Sequence, residues 1–409
     1  MKKTAIELFA GVGGFRVGMN DVRGFDESGR AIENKGWDFV WANQWEPSTK
    51  AQHAADCYRK RFGDICSMNI SEVDARSIPD HTLLTGGFPC QDYSVARSLH
   101  DEKGIEGKKG VLFWDIARIV ECKRPPLVLL ENVDRLLKAP AKQRGRDFGI
   151  MLRTFSDLGY DVEWRVINAA DYGARQRRRR VFIFAWDRGL KYSISHSSPR
   201  DVALTSGLFA TQFPIHAPDQ GGRTTDLTEW KDTVDMTERF AFQFENTGCM
   251  VDGNVFTVRT KPVTEKAVPL MDTLEHGVDE KYYLTEPQLK KFEYLRGSKK
   301  IERTAANGHK YIYSEGGMSP TDDITLPGRT MLTSEASVNR STHIVRDLDT
   351  GRIRFITPVE AERLQHFPDN WTNTGMPEKR RYFMMGNALV TYIIGRCEPY
   401  ISEITKAED

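Results

Sequence analysis

An α/β fold is expected, built on a parallel sheet with crossover helices and followed by a smaller, irregular, mostly β domain. Two patterns predict this. Residues 1–189 alternate short apolar runs with stripes of helical period, as the strands and crossover helices of a parallel sheet do. Beyond Trp186 the chain becomes rich in Ser, Thr, Gly, Pro and Asp, with short β-type pieces and no dominant helical stripe. The length of 409 residues allows two or three domains of ~150 residues each.

The elements follow in order. Ala5-Ile6-Glu7-Leu8-Phe9 is the first strand candidate, and Gly11-Val12-Gly13-Gly14 comes directly after it. Residues 21–36 are long for a connection and read as an insertion around Glu33. Residues 39–42 are a second strand. Pro47 then opens a helix, since proline suits a first turn, and Ala51, Ala55, Tyr58 and Phe62 recur along it. Leu83-Leu84-Thr85 runs into Gly86-Gly87-Phe88-Pro89-Cys90. Leu112, Ile116, Ile119 and Val120 repeat the helical stripe, and residues 127–130 form a buried strand ending at Glu131-Asn132. Residues 181–185 close this half. Further on, residues 255–258 read as strand and 287–294 as helix. A helical pattern returns at 357–364. A short apolar helix covers 391–397, with Pro399 as its stop. The expected division is 1–189, 190–374, and a segment 375–409 that returns to the first domain.

Composition excludes several classes. Lys+Arg is 58 and Asp+Glu is 57, a net charge of +1, so the chain is neither a histone-like polycation nor an acidic solvating tail. Nucleic-acid binding stays open, because a basic face can be balanced elsewhere. Hydrophobic content of 39% with 28% charged residues reads as soluble and globular. No apolar run approaches the ~18 residues of a membrane span, and Glu7 stands where a signal peptide would be apolar. Six cysteines are scattered without a CxxC pair, so neither a disulfide framework nor a zinc ribbon is expected. A reducing, cytoplasmic setting and no metal site follow.

Five features carry chemistry. Glycines in the turn 9–14 permit a tight bend and close approach to a ligand, although an ordinary strand-to-helix turn uses the same residues. Gln44 and Glu46 share a face of an extended segment where such folds hold a ribose; Trp45 between them could pack on an adenine or in the core. Cys90 leads a loop beyond the carboxyl end of a strand. A thiol there is either a small buried hydrophobe or, in an electropositive setting, a nucleophile. Glu131 at a sheet edge could hold a proton near neutrality if its surroundings are apolar. In Arg175-Gln176-Arg177-Arg178-Arg179-Arg180, an extended backbone points Arg178 and Arg180 one way and Arg177 and Arg179 the other.

Taken in order, these motifs and the later Gly386-Asn387 closely resemble the bacterial-type DNA cytosine-5 methyltransferases of restriction-modification systems. The resemblance covers most of residues 4–186 and 352–392. Residues 190–350 lack a shared pattern, and the family's target-recognition domain lies there. The resemblance implies the Rossmann-like α/β fold of S-adenosylmethionine-dependent methyltransferases, a mixed, mostly parallel sheet with helices on both faces. It also implies methyl transfer from S-adenosylmethionine, with S-adenosylhomocysteine as product, to C5 of a cytosine flipped out of a specific double-stranded DNA sequence.

Roles carry over by position. Cys90 is implied as the nucleophile at C6 and Glu131 as the group on N3 and the exocyclic amine. Arg178 is implied to contact O2 and orient Glu131, and Arg180 to support the loop of Cys90. Phe9 would lie by the sulfonium, where a ring face suits a cation, with Gly11, Gly13 and Gly14 at the methionine end. Asp64 and Ile65 would take the adenine; Pro89, Leu112 and Asn387 would complete the cofactor pocket. The family often has Glu where Gln44 stands, so the ribose role is divided between Gln44 and Glu46, with Trp45 beside them. Gln91, Ser94 and Arg97 would meet DNA, and Lys103, Lys108 and Lys109 suit phosphate contact. Arg259, Lys261, Arg296, Arg303, Arg329 and Arg340 are the cations available for specificity. A Thr357-Pro358-x-Glu360 helix start is given a structural role only. A monomer, with a companion endonuclease that would act independently, completes the expectation. A tRNA-methylating relative would carry a Cys-Phe-Thr tripeptide, which this chain lacks.

Overall fold

The computed structural model describes residues 1–88, 112–218, 221–304 and 308–409. Nine strands make one mixed sheet: β1 (Thr4–Leu8), β2 (Asp38–Asn43), β3 (Leu83–Gly87), β4 (Leu127–Asn132), β5 (Tyr160–Asn168), β6 (Arg179–Asp187), β7 (Arg223–Asp226), β8 (Thr247–Val251) and β9 (Asn254–Val258). Their spatial order is β2-β1-β3-β4-β6-β5-β8-β9-β7. The first four run parallel, and β6 and those beyond it pair antiparallel. The division after residue 189 does not fall at a break in this sheet, since β7, β8 and β9 continue it to Val258.

The apolar runs explain why the sheet forms. Successive side chains on a strand point to opposite faces. Ile6, Leu8, Leu84, Val128, Leu130, Val181 and Ile183 therefore pack on one face, against α3 (Phe113–Lys123) and α4 (Arg146–Asp157). Ala5, Leu83, Leu127, Leu129, Phe182, Phe184 and Trp186 pack on the other, against Phe15 and Met19 of α1 (Gly14–Met19) and the helix Thr391–Ala407. Gly18 of α1 lets that helix approach closely, because a Cβ there would sit 2.6 Å from Cβ of Ile394. A third cluster joins Val12, Val17 and α2 (His53–Phe62) to Met331, Leu364, Trp371 and Met385, so the returning segment closes over the first strand's turn.

Several expectations need correction. Pro47 lies in a turn, and α2 begins at His53 with Gln52 as its cap. Pro399 lies inside a helix of 17 residues rather than ending one. Proline removes one backbone donor, but Ile393, Ile394, Cys397, Ile401 and Ile404 are all buried in the second cluster and hold the helix across it. The helix candidate at 287–294 is the helix Glu286–Arg296. Residues 21–36 form no helix or longer strand; Glu33 within them pairs with Arg16 at 2.8 Å.

β5 was not legible as a strand because it carries buried charge. Glu163 accepts the backbone N–H of Leu208 at 2.7 Å, and Arg165 donates to the carbonyls of Ala203 and Phe213. Burial pushes the Glu163 carboxyl up to about 8, against the opposing charge of Arg165. An acid whose folded pKa is raised contributes fully below its unfolded value, near 4.5, and that contribution is lost as pH rises through about 8. Over that window the loss approaches about 1.4 kcal/mol per pH unit. Glu163→Gln keeps an acceptor without the charge. It should flatten the decline in melting temperature between pH 6 and pH 9, and an equally steep decline would contradict this reading.

Candidate active site

A cavity of about 730 Å³ opens at the carboxyl ends of β1, β2, β3 and β4, the edge where open α/β sheets hold ligands. The glycine turn lines one end. Phe9, Gly11 and Gly13 all have positive φ, and Gly13 caps α1 from the left-handed region. A Cβ on Gly13 would lie 2.5 Å from the Phe62 ring, so both backbone and space require glycine there. Phe9, Gly11, Gly14, Gln44, Trp45, Glu46, Leu112 and Asn387 line the cavity. Gly13 does not; it shapes the turn.

Two carboxylates stand at this end. Glu7 is fully buried on β1. One oxygen accepts Phe15 N–H at 2.9 Å, and the other has no partner among the described residues. Burial pushes its carboxyl up to about 8. Sequence reading missed Glu7 as a lining residue, although an acid inside an apolar strand was the available signal. Gln44 spends its side-chain oxygen on Gly11 N–H at 2.8 Å. Glu46 pairs through one oxygen with Arg380 from the returning segment, and its other oxygen is buried without a partner among the described residues.

Asp64 and Ile65, expected at the adenine, do not line the cavity. Asp64 is exposed, and Ile65 packs against Ala10, Ala42 and Tyr58. Asn43, at the end of β2, donates to the carbonyls of Cys66 and Met68 at 3.1 and 2.9 Å. That pins the chain along the strand end and delivers Asn69, Ile70 and Ser71 to the cavity wall instead.

The other end is built by β3, β4 and β6. The register places Gly87 beside Glu131, and a Cβ on Gly87 would sit 3.5 Å from Glu131 Oε2. Asn132 donates to the Phe88 carbonyl at 2.9 Å, fixing the strand end two residues before Cys90 in the sequence. Arg180 Nε pairs with Glu131 Oε1 at 2.9 Å. Arg178, implied by the resemblance to orient Glu131, makes its contacts elsewhere among the described residues. Its guanidinium donates to the carbonyls of Met331 at 3.2 Å and Gly386 at 3.0 Å, while its buried Nε has no partner among the described residues. The orienting contact thus belongs to Arg180: the antiparallel β4–β6 pairing sets Glu131 opposite Phe182, and Arg180, two residues along β6 on the same face, reaches it diagonally. Arg179 faces outward and pairs with Asp134.

The electrostatics set a buried carboxyl beside two guanidiniums. Burial raises the Glu131 carboxyl above its ordinary value, and the charges of Arg180 and Arg178 oppose the rise. Burial also lowers Arg178 to about 9, helped by the like charge of Arg180. Pro89, Cys90, Gln91, Ser94 and Arg97 lie outside the described residues, as do Lys103, Lys108 and Lys109.

A sheet of this order, with its cavity where β1 meets the glycine turn, is a Rossmann-like α/β fold. This chain belongs to the C-5 cytosine-specific DNA methylases, whose family model matches residues 3–398. It is 52% identical to the Type II methyltransferase M.Sau3AI of Staphylococcus aureus, over 98% of this chain and 96% of that one. It is 35% identical to M.HhaI of Haemophilus parahaemolyticus over 45% of this chain and 49% of that one. Among solved structures, the S. pombe Dnmt2 methyltransferase superposes with a TM-score of 0.58 at 15% identity and covers 98% of both chains, which shows the shared fold.

Proposed function

We propose that this enzyme transfers a methyl group from S-adenosylmethionine to C5 of a cytosine flipped out of a specific double-stranded DNA sequence, through a covalent bond between Cys90 and C6. The observation that supports this most is the Glu131–Arg180 pair at one end of a cavity whose other end is the glycine turn. A stacked duplex offers no access to C5 or C6, so the base must leave the helix.

C5 is a poor nucleophile until the ring is activated. Attack of the Cys90 thiolate forms the S–C6 bond and moves the C5=C6 electron pair onto C5 as an enamine; covalent catalysis divides one hard step into two. The raised Glu131 carboxyl gives N3 its hydrogen bond and takes up the developing charge, and Arg180 holds it in place. Loss of the C5 proton to solvent and cleavage of the S–C6 bond then restore the aromatic ring and the thiolate. When bound, S-adenosylmethionine supplies an electrophilic methyl group and leaves as S-adenosylhomocysteine.

The cavity fits that cofactor. Two buried carboxylate oxygens without partners among the described residues belong to its lining residues, and the cofactor brings an ammonium and a ribose diol. We assign the diol to Glu46, held by Arg380, rather than to Gln44, whose oxygen is engaged by Gly11. Phe9 flanks the sulfonium, and Asn69 with Ile70 takes the adenine. Calorimetry should find that Glu46→Gln weakens cofactor binding about 10-fold, the order of a lost hydrogen bond to a charged group, and that it no longer discriminates the 2′-deoxyribose analogue. Gln44→Ala should keep that discrimination; the reverse pattern would return the role to Gln44.

The recognition domain is proposed to begin beyond β9 rather than at residue 190, with the segment after 375 returning to the sheet. A companion restriction endonuclease, the type II assignment, a monomeric state and a cytoplasmic setting belong to the same reading. No helix among the described residues is long and apolar enough to cross a membrane.

A further inference from the structure

Three of the six cations expected to serve specificity are spent inside the protein. Arg296 is buried against Asp322 and the Thr342 carbonyl, Arg329 pairs with the same Asp322, and Arg340 donates to the Leu295 carbonyl at 2.7 Å and pairs with Glu315. Arg340 thereby holds the root of one element, the hairpin of β10 (Lys299–Thr304) and β11 (Lys310–Glu315), and Arg296, which ends the helix just before that hairpin, shares Asp322 with Arg329.

This ribbon is unusual in leaving both faces to solvent. Lys300, Glu302, Thr304, Lys310, Ile312 and Ser314 occupy one face and are all exposed, Ile312 at 69%. Ile301, Arg303 and Tyr311 on the opposite face are exposed too, and Arg303 stacks on Tyr313 at 3.9 Å. An isolated two-stranded hairpin is marginally stable in water, so a ribbon this uncovered gains most when something covers it. Its charge selects what: residues 299–315 carry three lysines and one arginine against two glutamates. Its strands lie ~4.8 Å apart, and a two-stranded ribbon fits the ~12 Å major groove of B-DNA.

Its position agrees. Met331, whose carbonyl holds Arg178 at the cavity, begins the stretch that ends at Arg340 on the ribbon's root. One short segment thus ties the base site to the ribbon. We infer that the β10–β11 ribbon enters the major groove beside the target cytosine, with Arg303 reaching a base edge and Lys300 and Lys310 meeting phosphates. This rests on the DNA-methylating reading above.

The test compares the full-length wild type with Arg303→Ala and with Lys300→Ala/Lys310→Ala. Each is assayed for methylation of genomic DNA with sequencing of the methylated sites, for salt dependence, for cofactor binding and for oligomeric state. Arg303→Ala should lower kcat/KM on the preferred site by about 10- to 100-fold and relax one position of it, the scale of a lost bidentate base contact. The lysine pair should weaken all sites alike and make the salt dependence shallower. Cofactor binding should be unchanged in every variant. Unchanged rates and sites in variants of an active wild type would overturn the ribbon's role alone, as would a dimer that these substitutions dissociate. A wild type that methylates no DNA would overturn the underlying reading and the ribbon's role with it.

Discussion

Cys90→Ala is expected to reduce methyl transfer to below detection while leaving S-adenosylmethionine binding intact. The thiolate is the only nucleophile assigned to C6, and without the S–C6 bond C5 lacks the electron density to attack. The groups proposed for the cofactor lie mainly at the glycine-turn end of the cavity, away from the Glu131 end, so its binding should survive. A second readout separates catalysis from folding. A duplex carrying 5-fluorocytosine blocks the final elimination, because C5 holds fluorine where a proton must leave. The wild type should form an adduct with it that survives denaturation, and Cys90→Ala should form none. Residual turnover in the variant, or an adduct without the thiol, would remove Cys90 from its assigned role.

Glu131→Gln should cost at least ~100-fold in kcat, the usual scale for a positioned acid, or about 2.7 kcal/mol of barrier. The amide keeps the shape and an acceptor for Arg180 but has no proton to yield to N3. The pH dependence gives an independent check. Burial raises the Glu131 carboxyl, so its protonated form persists to higher pH than an ordinary carboxylate and is lost as pH climbs through that raised value. In wild type that loss draws the rate down on the alkaline side, and in Glu131→Gln this limb should disappear. An unchanged rate would contradict the role.

Much of the sheet was legible because parallel strands buried on both faces read as continuous apolar runs. β1, β3 and β4 are such runs, with the glycine turn and Glu131 at the ends of β1 and β4, and the arginine run leads into the apolar β6. The alternation in the arginine run also follows from strand geometry alone. What escaped depends on partners distant in sequence. β5 hides behind Glu163 and Arg165, whose charges are satisfied by residues 203–213. Glu46 meets Arg380, 334 residues away, and nothing local announces that contact. Which arginine grips Glu131 is decided by the β4–β6 register, a property of two strands and not of one. Gly63-Asp64-Ile65 has the right residue types for an adenine contact, but the Asn43 tether moves the wall to Asn69 and Ile70.

The most direct test of the central claim is transfer of labelled methyl from S-adenosylmethionine to mixed genomic DNA, with bulk tRNA in parallel and the products hydrolysed to nucleosides. The account predicts 5-methyldeoxycytidine from DNA and no label in tRNA. Label in tRNA, in a different deoxynucleoside, or in neither nucleic acid while the cofactor is bound would contradict it.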